Sequence, residues 1–129
     1  PMSFLPFRGR VAPGDRTVRV DSVDIALPEV HEGSADAELV LGVRPEHIEL
    51  SDDSPLRAEV VDAEYMGTTQ IVTLNTATGA SMKARIAAHI CVRPGESTGI
   101  KFRPGQLSLF DKASGRALRT ALHDGGAHG

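Results

Sequence analysis

Hydrophobic residues recur at every second position in short runs along this chain, and Gly, Pro, Asp and Ser separate the runs. A period of two places alternate side chains on one face of an extended strand, and these four residue types favour turns. Two such runs, residues 17–20 and 23–27, flank Asp21-Ser22, which predicts a hairpin. The pattern therefore predicts an all-β domain built as a sandwich or a barrel.

Further strands are predicted after this hairpin. Residues 28–37 are polar and contain Pro and Gly, which predicts a loop, and residues 38–44 alternate as a half-buried strand. Later apolar alternation predicts strands at residues 56–65, 70–76, 80–86, 100–102 and 107–109. Good helix formers cluster only in residues 113–122, where Ser114-Gly115 interrupts them, so few or no helices are expected.

The strand at residues 56–65 changes phase midway. The alternation that ends at Val60 would place the next apolar residues, Val61, Ala63 and Tyr65, on the opposite face. Adjacent Val60 and Val61 therefore indicate a β-bulge or a strong bend. A long bent strand of this kind allows a small sheet to close into a barrel.

Residues 43–52 and 102–111 contain the same phrase, and they align without gaps. Each has an apolar residue, Arg and Pro, followed by apolar residues two positions apart and then Asp. Proline holds the preceding Arg in an extended conformation and suits the first position of a tight turn. Each phrase is therefore predicted to be a strand, a sharp corner and another strand. The two corners could occupy related positions in two similar halves, or they could be two independent proline turns.

Composition narrows the possible functions. The chain has 129 residues, which favours one domain, assigned here to residues 1–122, with a Gly-rich tail at 123–129 expected to be disordered. The net charge of −3 and an aromatic content of 4% argue against nucleic-acid binding, which favours basic and aromatic surfaces. Because the first residue is Pro1 rather than an initiator Met, we expect the chain to be a piece of a larger polypeptide.

The motifs of the common catalytic and metal sites are absent from the sequence. It contains no Gly-Lys pair for a phosphate-binding loop, no Gly-x-Ser-x-Gly and no His-Glu-x-x-His. His47 follows Glu46 in the first corner and is interpreted as a polar corner residue rather than a general base. Cys91 lies in an apolar stretch and is expected to be buried and inert. No catalytic residue, cofactor site or metal site is predicted.

Four motifs carry a resemblance to a known family. In chain order they are Pro1-Met2-Ser3-Phe4-Leu5, Leu41-Gly42-Val43-Arg44-Pro45-Glu46-His47-Ile48, Glu64-Tyr65-Met66-Gly67-Thr68-Thr69, and Arg93-Pro94-Gly95-Glu96 with Phe102-Arg103-Pro104 and Leu107-Ser108-Leu109-Phe110-Asp111. They resemble the C-terminal regulatory domain, called the transport-associated oligonucleotide/oligosaccharide-binding (TOBE) domain, of ATP-binding subunits in carbohydrate and glycerol-3-phosphate ABC importers, the maltose-importer ATPase family. The resemblance spans nearly the whole chain.

This resemblance implies a small OB-fold-like barrel of short antiparallel strands with no catalytic activity of its own. ATP and Mg would bind in a nucleotide-binding domain upstream of Pro1. The implied partners are a second copy of the ATPase subunit, that upstream domain and the transporter's membrane subunits. The implied location is cytoplasmic, at the inner face of the bacterial plasma membrane.

The resemblance also directs attention to particular residues. The expected structural or interface motif consists of Gly42, Arg44, Pro45, Glu46, His47, Arg103 and Pro104. An alternative function is a small-ligand or oxyanion sensor, as in related TOBE domains, with Arg44, Arg85, Arg93 or Arg103 at the site. An oligonucleotide-binding barrel is disfavoured by the low aromatic content and the acidic balance.

Overall fold

The predicted all-β class is confirmed by the computed structural model, which describes residues 1–123. Residues 124–129, most of the tail expected to be disordered, lie outside the described residues, and the domain boundary at 122 stays a prediction. Ten strands and two single turns of 3₁₀-helix make up the described chain. The strands are β1 Ser3–Val11, β2 Thr17–Val20, β3 Val23–Ala26, β4 Ser34–Val43, β5 Ile48–Leu50, β6 Arg57–Met66, β7 Thr69–Thr76, β8 Ser81–Ala87, β9 Ser97–Phe102 and β10 Ser108–Asp111.

The strands belong to two compact units. The central unit contains Pro1–Phe4 and Val43–Arg103, and the terminal unit contains Leu5–Gly42 and the chain from Pro104 onward. Each unit has its own sheet and its own buried residues.

The central unit is a five-stranded antiparallel sheet in the order β5-β9-β6-β7-β8. Its two edge strands, β5 and β8, contact each other, so the sheet rolls into a small barrel. Alternate side chains of the strands fill the interior, as the period of two predicts. The buried set includes Ile48, Ala58, Val60, Val72, Leu74, Met82, Ala84 and Ile100.

The predicted bulge is present in β6. The pairing of β6 with β7 shifts between Val60 and Asp62, which leaves Val61 as the extra residue. Because the bulge inserts one residue, Ala63 and Tyr65 return to the face of the sheet that carries Val60. On this face they pair with the buried side chains of β7. The expectation that they would face the other way was therefore wrong. Beyond the bulge the strand leaves the core, and Tyr65 is 64% exposed.

The terminal unit contains a three-stranded sheet in the order β1-β4-β10 and the hairpin β2–β3. The predicted hairpin is confirmed, and both turn residues, Asp21 and Ser22, have positive φ. The predicted loop at residues 28–37 was wrong at its end, because strand β4 begins at Ser34. Strand β1 was not predicted, because polar residues and Pro6 break its apolar alternation.

The segment after β10 is fixed to the terminal unit through Glu32. The two carboxylate oxygens accept hydrogen bonds from the Arg116 guanidinium at 2.6 and 3.0 Å, and the Arg119 backbone N–H donates a third at 3.1 Å. These bonds, led by Arg116, lower the pKa of Glu32 from 4.5 to about 2. Leu118 and Thr120 are buried in the same segment, so it contributes to the core of this unit.

Cys91 is exposed, so the expectation of a buried thiol was wrong. The apolar stretch around it is not a strand: β8 ends at Ala87, and the residues after it form turns. Buried Gln70 holds the start of this loop, because its side-chain amide donates to the carbonyls of Ala87, Ala88 and Ile90. A period of two cannot distinguish an apolar strand end from an apolar loop.

Candidate functional site

The first arginine–proline corner is a single 3₁₀ turn between two strands. β4 ends at Val43, Arg44 is extended (φ −80°, ψ 151°), and Pro45–His47 form the turn that leads into β5. The His47 backbone N–H donates to the Arg44 carbonyl at 3.0 Å, and the Ile48 N–H donates to the Pro45 carbonyl. Proline fits the first position of this turn because its fixed φ is already suitable and it has no N–H to satisfy.

The second corner repeats this local path. β9 ends at Phe102, Pro104–Gln106 form another 3₁₀ turn, and the chain continues into β10. The Leu107 backbone N–H approaches the Pro104 carbonyl at 3.5 Å. This contact corresponds to the bond from the Ile48 N–H to the Pro45 carbonyl at the first corner. The predicted sequence of strand, corner and strand is therefore confirmed at both phrases.

The strands around the two corners also pair in equivalent registers. In the central unit β5 pairs with β9, and Glu49 lies opposite Lys101. In the terminal unit β4 pairs with β10, and Gly42 lies opposite Ser108. When the two phrases are aligned, Gly42 corresponds to Lys101 and Ser108 to Glu49. Each unit therefore pairs the strand before one corner with the strand after the other, in the same register.

Both corners lie at boundaries between the compact units. The chain passes from the terminal to the central unit between Gly42 and Val43, and it returns between Arg103 and Pro104. Of the seven expected motif residues, the central unit therefore contains Arg44, Pro45, Glu46, His47 and Arg103, and the terminal unit contains Gly42 and Pro104.

Within the central unit the first corner gathers several basic groups around one carboxylate. The backbone N–H of Glu46 bonds its own carboxylate, and the charges of His47, Arg85 and Arg44 add to this, so the pKa of Glu46 lies below its usual 4.5. The Arg103 backbone N–H donates to the His47 carbonyl at 3.0 Å, which brings the second phrase to the first corner. The site is an exposed, mostly basic surface.

The neighbouring side chains differ in exposure. Pro45 is buried and His47 half-buried, while Arg44, Glu46 and Arg103 are exposed. The buried Nδ1 atom of His47 has no hydrogen-bond partner among residues 1–123. The corner therefore has a structural base, formed by Pro45 against β8, and an outer layer of charged side chains that can contact another molecule.

Of the four arginines considered for an oxyanion site, Arg93 stands apart from this corner. It lies exposed in the loop after β8, where its carbonyl accepts from the Glu96 N–H at 3.1 Å. Neighbouring Gly95 and Glu96 bond the backbone of Val60 at the bulge. The sequence identifies the four arginines. Which of them lie near Glu46, in the 3₁₀ turn of the first corner, depends on how the strands are arranged in the folded sheet.

Sequence reasoning did not single out the outer face of strands β6, β7 and β8. Asp62 and Glu64 on β6 and Lys83 and Arg85 on β8 are exposed there. The regular alternation of β8 was the available signal. The alignment of its basic residues with the acidic residues of β6, across β7, depends on the strand order and on the bulge.

Within residues 1–123, no group of three or more His, Cys, Asp and Glu side chains is arranged to hold a metal ion. No helix in this part of the chain has the length and apolar character needed to cross a membrane.

Two family models match the chain. The TOBE domain model matches residues 41–110, which include the sheet of the central unit and both corners. The model of the CysA C-terminal regulatory domain matches residues 7–50, which include the first corner.

Similar curated proteins are ATP-binding proteins. An sn-glycerol-3-phosphate import ATP-binding protein of Ruegeria sp. (strain TM1040) is 30% identical over 67% of this chain and 25% of its own length. Another, of Chromobacterium violaceum, is 29% identical over 84% of this chain and 30% of its own length. An uncharacterized ABC transporter ATP-binding protein of Sinorhizobium fredii, y4oS, is 30% identical over 91% of this chain and 31% of its own length. The chain thus spans about a quarter to a third of these relatives.

One similar solved structure is the cytoplasmic molybdate-binding protein ModG with molybdate bound. It superposes with a TM-score of 0.55 and 17% identity, covering 81% of this chain and 94% of ModG. At this identity the likeness shows the fold alone, and it confirms the expected OB-fold-like architecture.

Proposed function

We propose that this chain, which belongs to the TOBE domain family, is the regulatory domain of the ATP-binding subunit of an ABC importer. The match over residues 41–110, more than half of the chain, carries this proposal. The import ATP-binding proteins among its relatives support it. In this role the domain catalyses no reaction, and a nucleotide-binding domain in the same subunit binds ATP and Mg.

The mechanical role we propose is that of a clasp between two ATPase subunits. Nucleotide-binding domains close on ATP and open after hydrolysis, so a contact elsewhere must persist while they separate. A rigid, rolled sheet with an exposed outer face is suited to such a contact, because it buries surface without rearranging. The membrane subunits then use the opening and closing to import a sugar or a related solute such as glycerol-3-phosphate, and the subunit lies at the cytoplasmic face of the membrane.

The seven corner residues serve this role, in our proposal, as structural junctions. Both corners coincide with boundaries of the compact units, and Pro45 is buried beneath the charged outer layer. Replacing Glu46 and His47 with Ala tests whether the outer layer also contacts a partner. A weaker dimer with an unchanged melting temperature supports the contact, while unchanged dimerisation with a lower melting temperature leaves the structural role alone.

Deletion of this domain from the full-length subunit tests the clasp. The intact subunit should remain dimeric after ATP hydrolysis, as measured by light scattering, whereas the truncated subunit should dissociate between cycles. ATP hydrolysis by the truncated subunit should survive at high protein concentration, because the catalytic residues lie outside this chain. A gene product without a nucleotide-binding domain, or normal transport by the truncated form, would refute the proposal.

An oxyanion-sensing domain is the second candidate, and one observation favours it. The first corner brings the charges of Arg44 and Arg85 near each other, with His47 beside them. The Glu46 carboxylate in the same cluster repels anions, which is why we place this candidate second. Calorimetric titration with molybdate and sulfate would detect a site, and binding lost in an Arg44→Ala/Arg85→Ala variant would favour this candidate over the first.

A further inference from the structure

The outer face of strands β6, β7 and β8 carries charges in matched rows. β7 lies between the other two strands, and the registers on its two sides define which residues share a row. Two rows, Asp62–Thr73–Lys83 and Glu64–Ile71–Arg85, each run from an acidic residue on β6 through a neutral residue on β7 to a basic residue on β8. The row beside them, Glu59–Asn75–Ser81, carries a charge on β6 alone.

These charges face solvent and do not neutralise one another across the sheet. The four charged side chains of the two matched rows are exposed, and within residues 1–123 none of them forms an ion pair. Adjacent strands are about 4.8 Å apart, so the acidic and basic columns lie about 10 Å from each other. Glu46 approaches Arg85 from the first corner, and Arg44 lies near the same carboxylate.

The middle of the face is less polar than its sides. Ile71 and Thr73 are half-buried in the central column. Met66 lies two positions beyond Glu64 on the same face of β6, and it is 55% exposed. A less polar centre with charged borders is the usual composition of a protein interface.

We propose that this face docks against the same face of a second copy of the chain. A half-turn about an axis parallel to β7 keeps every position along the strand and exchanges the two sides of the face. Asp62 then lies over the partner's Lys83, Glu64 lies over the partner's Arg85, and Ile71 meets the partner's Ile71 at the centre. Packed sheets are about 10 Å apart, a gap that Lys and Arg side chains can bridge toward a carboxylate.

Charge complementarity selects a second copy as the occupant. A wholly acidic partner would satisfy β8 and be repelled by β6, and a wholly basic partner would have the reverse problem. A copy related by the half-turn satisfies both columns at once, as a two-fold interface requires. This inference rests on the proposed clasp and specifies the surface that forms it.

Charge reversal on one side tests the inference. In Asp62→Lys/Glu64→Lys the four charged positions of the two matched rows are all basic. In Lys83→Glu/Arg85→Glu they are all acidic, so each variant should dimerise about tenfold or more weakly than the unchanged chain. An equimolar mixture of the two variants should regain dimerisation, because each then meets its opposite. Analytical ultracentrifugation measures the dissociation constants, and added salt should weaken the recovered pair.

A matched control is available on β4. Asp36→Lys/Glu38→Lys makes the same change in net charge as Asp62→Lys/Glu64→Lys. Among residues 1–123 it removes two surface ion pairs, those with Arg8 and Lys112. It should dimerise as the unchanged chain does. Circular dichroism confirms that all variants remain folded.

Two results would overturn the inference. One is a mixture that fails to recover dimerisation although the unchanged chain is dimeric, which would mean that another surface forms the clasp. The other is an unchanged chain that stays monomeric at the highest attainable concentration. Neither result decides the proposed function, because the deletion experiment on the full-length subunit tests that separately.

Discussion

The two arginine–proline corners share a sequence phrase and a backbone path, but they differ in what surrounds them. At the first corner Pro45 is buried and the turn contacts β8. At the second corner Pro104, Gly105 and Gln106 are all exposed. The phrase therefore specifies the path of the backbone through the corner. The neighbouring strands determine whether the proline of that corner is buried.

The strands before the corners differ as well. When the alignment of the phrases is continued three residues upstream, Val40 on β4 corresponds to Gly99 on β9. A Cβ at Gly99 would lie 2.1 Å from the Ser51 carbonyl oxygen and 2.7 Å from that of Ser54, because the loop after β5 crosses over this position. The central unit thus requires a glycine where the terminal unit accommodates a valine.

The largest effect is expected where the corners are alike. Ile48 and Leu107 occupy the same position of the phrase, and each is 1% exposed. Ile48→Ala and Leu107→Ala should each reduce the free energy of unfolding by about 3 kcal/mol, because each leaves a cavity in a core. Hydrogen exchange should accelerate in β5 and β9 for the first variant, and in β4 and β10 for the second. Equal effects in both units from either variant would contradict the assignment of each residue to a separate core.

A somewhat smaller effect should distinguish the strands before the corners. Gly99→Ala should reduce the free energy of unfolding by about 2 kcal/mol, because the loop carbonyls must move to admit the methyl group. Gly105→Ala is the matched control, since a Cβ there meets no atom within 4 Å. Urea unfolding measures both variants. A Gly99→Ala variant as stable as the control would show that the loop does not cross β9 closely.

The prolines should separate the corners directly. Pro104→Ala should reduce the free energy of unfolding by about 0.5 kcal/mol, because the chain gains freedom only in the unfolded state. Pro45→Ala should cost about 1.5 kcal/mol, since buried contacts are lost in addition. Thermal unfolding compares the two variants, and identical melting temperatures would mean that the burial of Pro45 contributes nothing.

The smallest effect concerns the carboxylate of Glu46, because only the first corner carries an acidic residue. The pKa of Glu46 in the folded chain lies below its usual 4.5, so its stabilising contribution is present above pH 4.5 and is lost as the pH falls through the folded value. The aligned residue of the second corner, Gly105, has no such group. Glu46→Gln should therefore flatten the acid limb of the stability curve slightly, as measured by urea unfolding between neutral and acidic pH. An unchanged acid limb would exclude this contribution.

Much of the candidate site was predictable because its determinants are local. Proline restricts its own φ and the residue before it, so both corners followed from the phrases around Arg44 and Arg103. The bulge followed from adjacent Val60 and Val61. Its consequence for Tyr65 did not, because the direction of a side chain after a bulge depends on the register of the partner strand.

Period-two alternation and proline act over a few residues, so most of the strands, the two corners and the family could be predicted from the sequence, whereas β1 could not. The burial of one corner proline and not the other, the need for glycine at position 99 and the set of charges that share a face emerged only from the folded chain. These features depend on contacts between residues far apart in the chain. Alternation within one strand carries no information about the strand beside it. The matched rows of Asp62 with Lys83 and of Glu64 with Arg85 therefore follow only from the order and register of the paired strands.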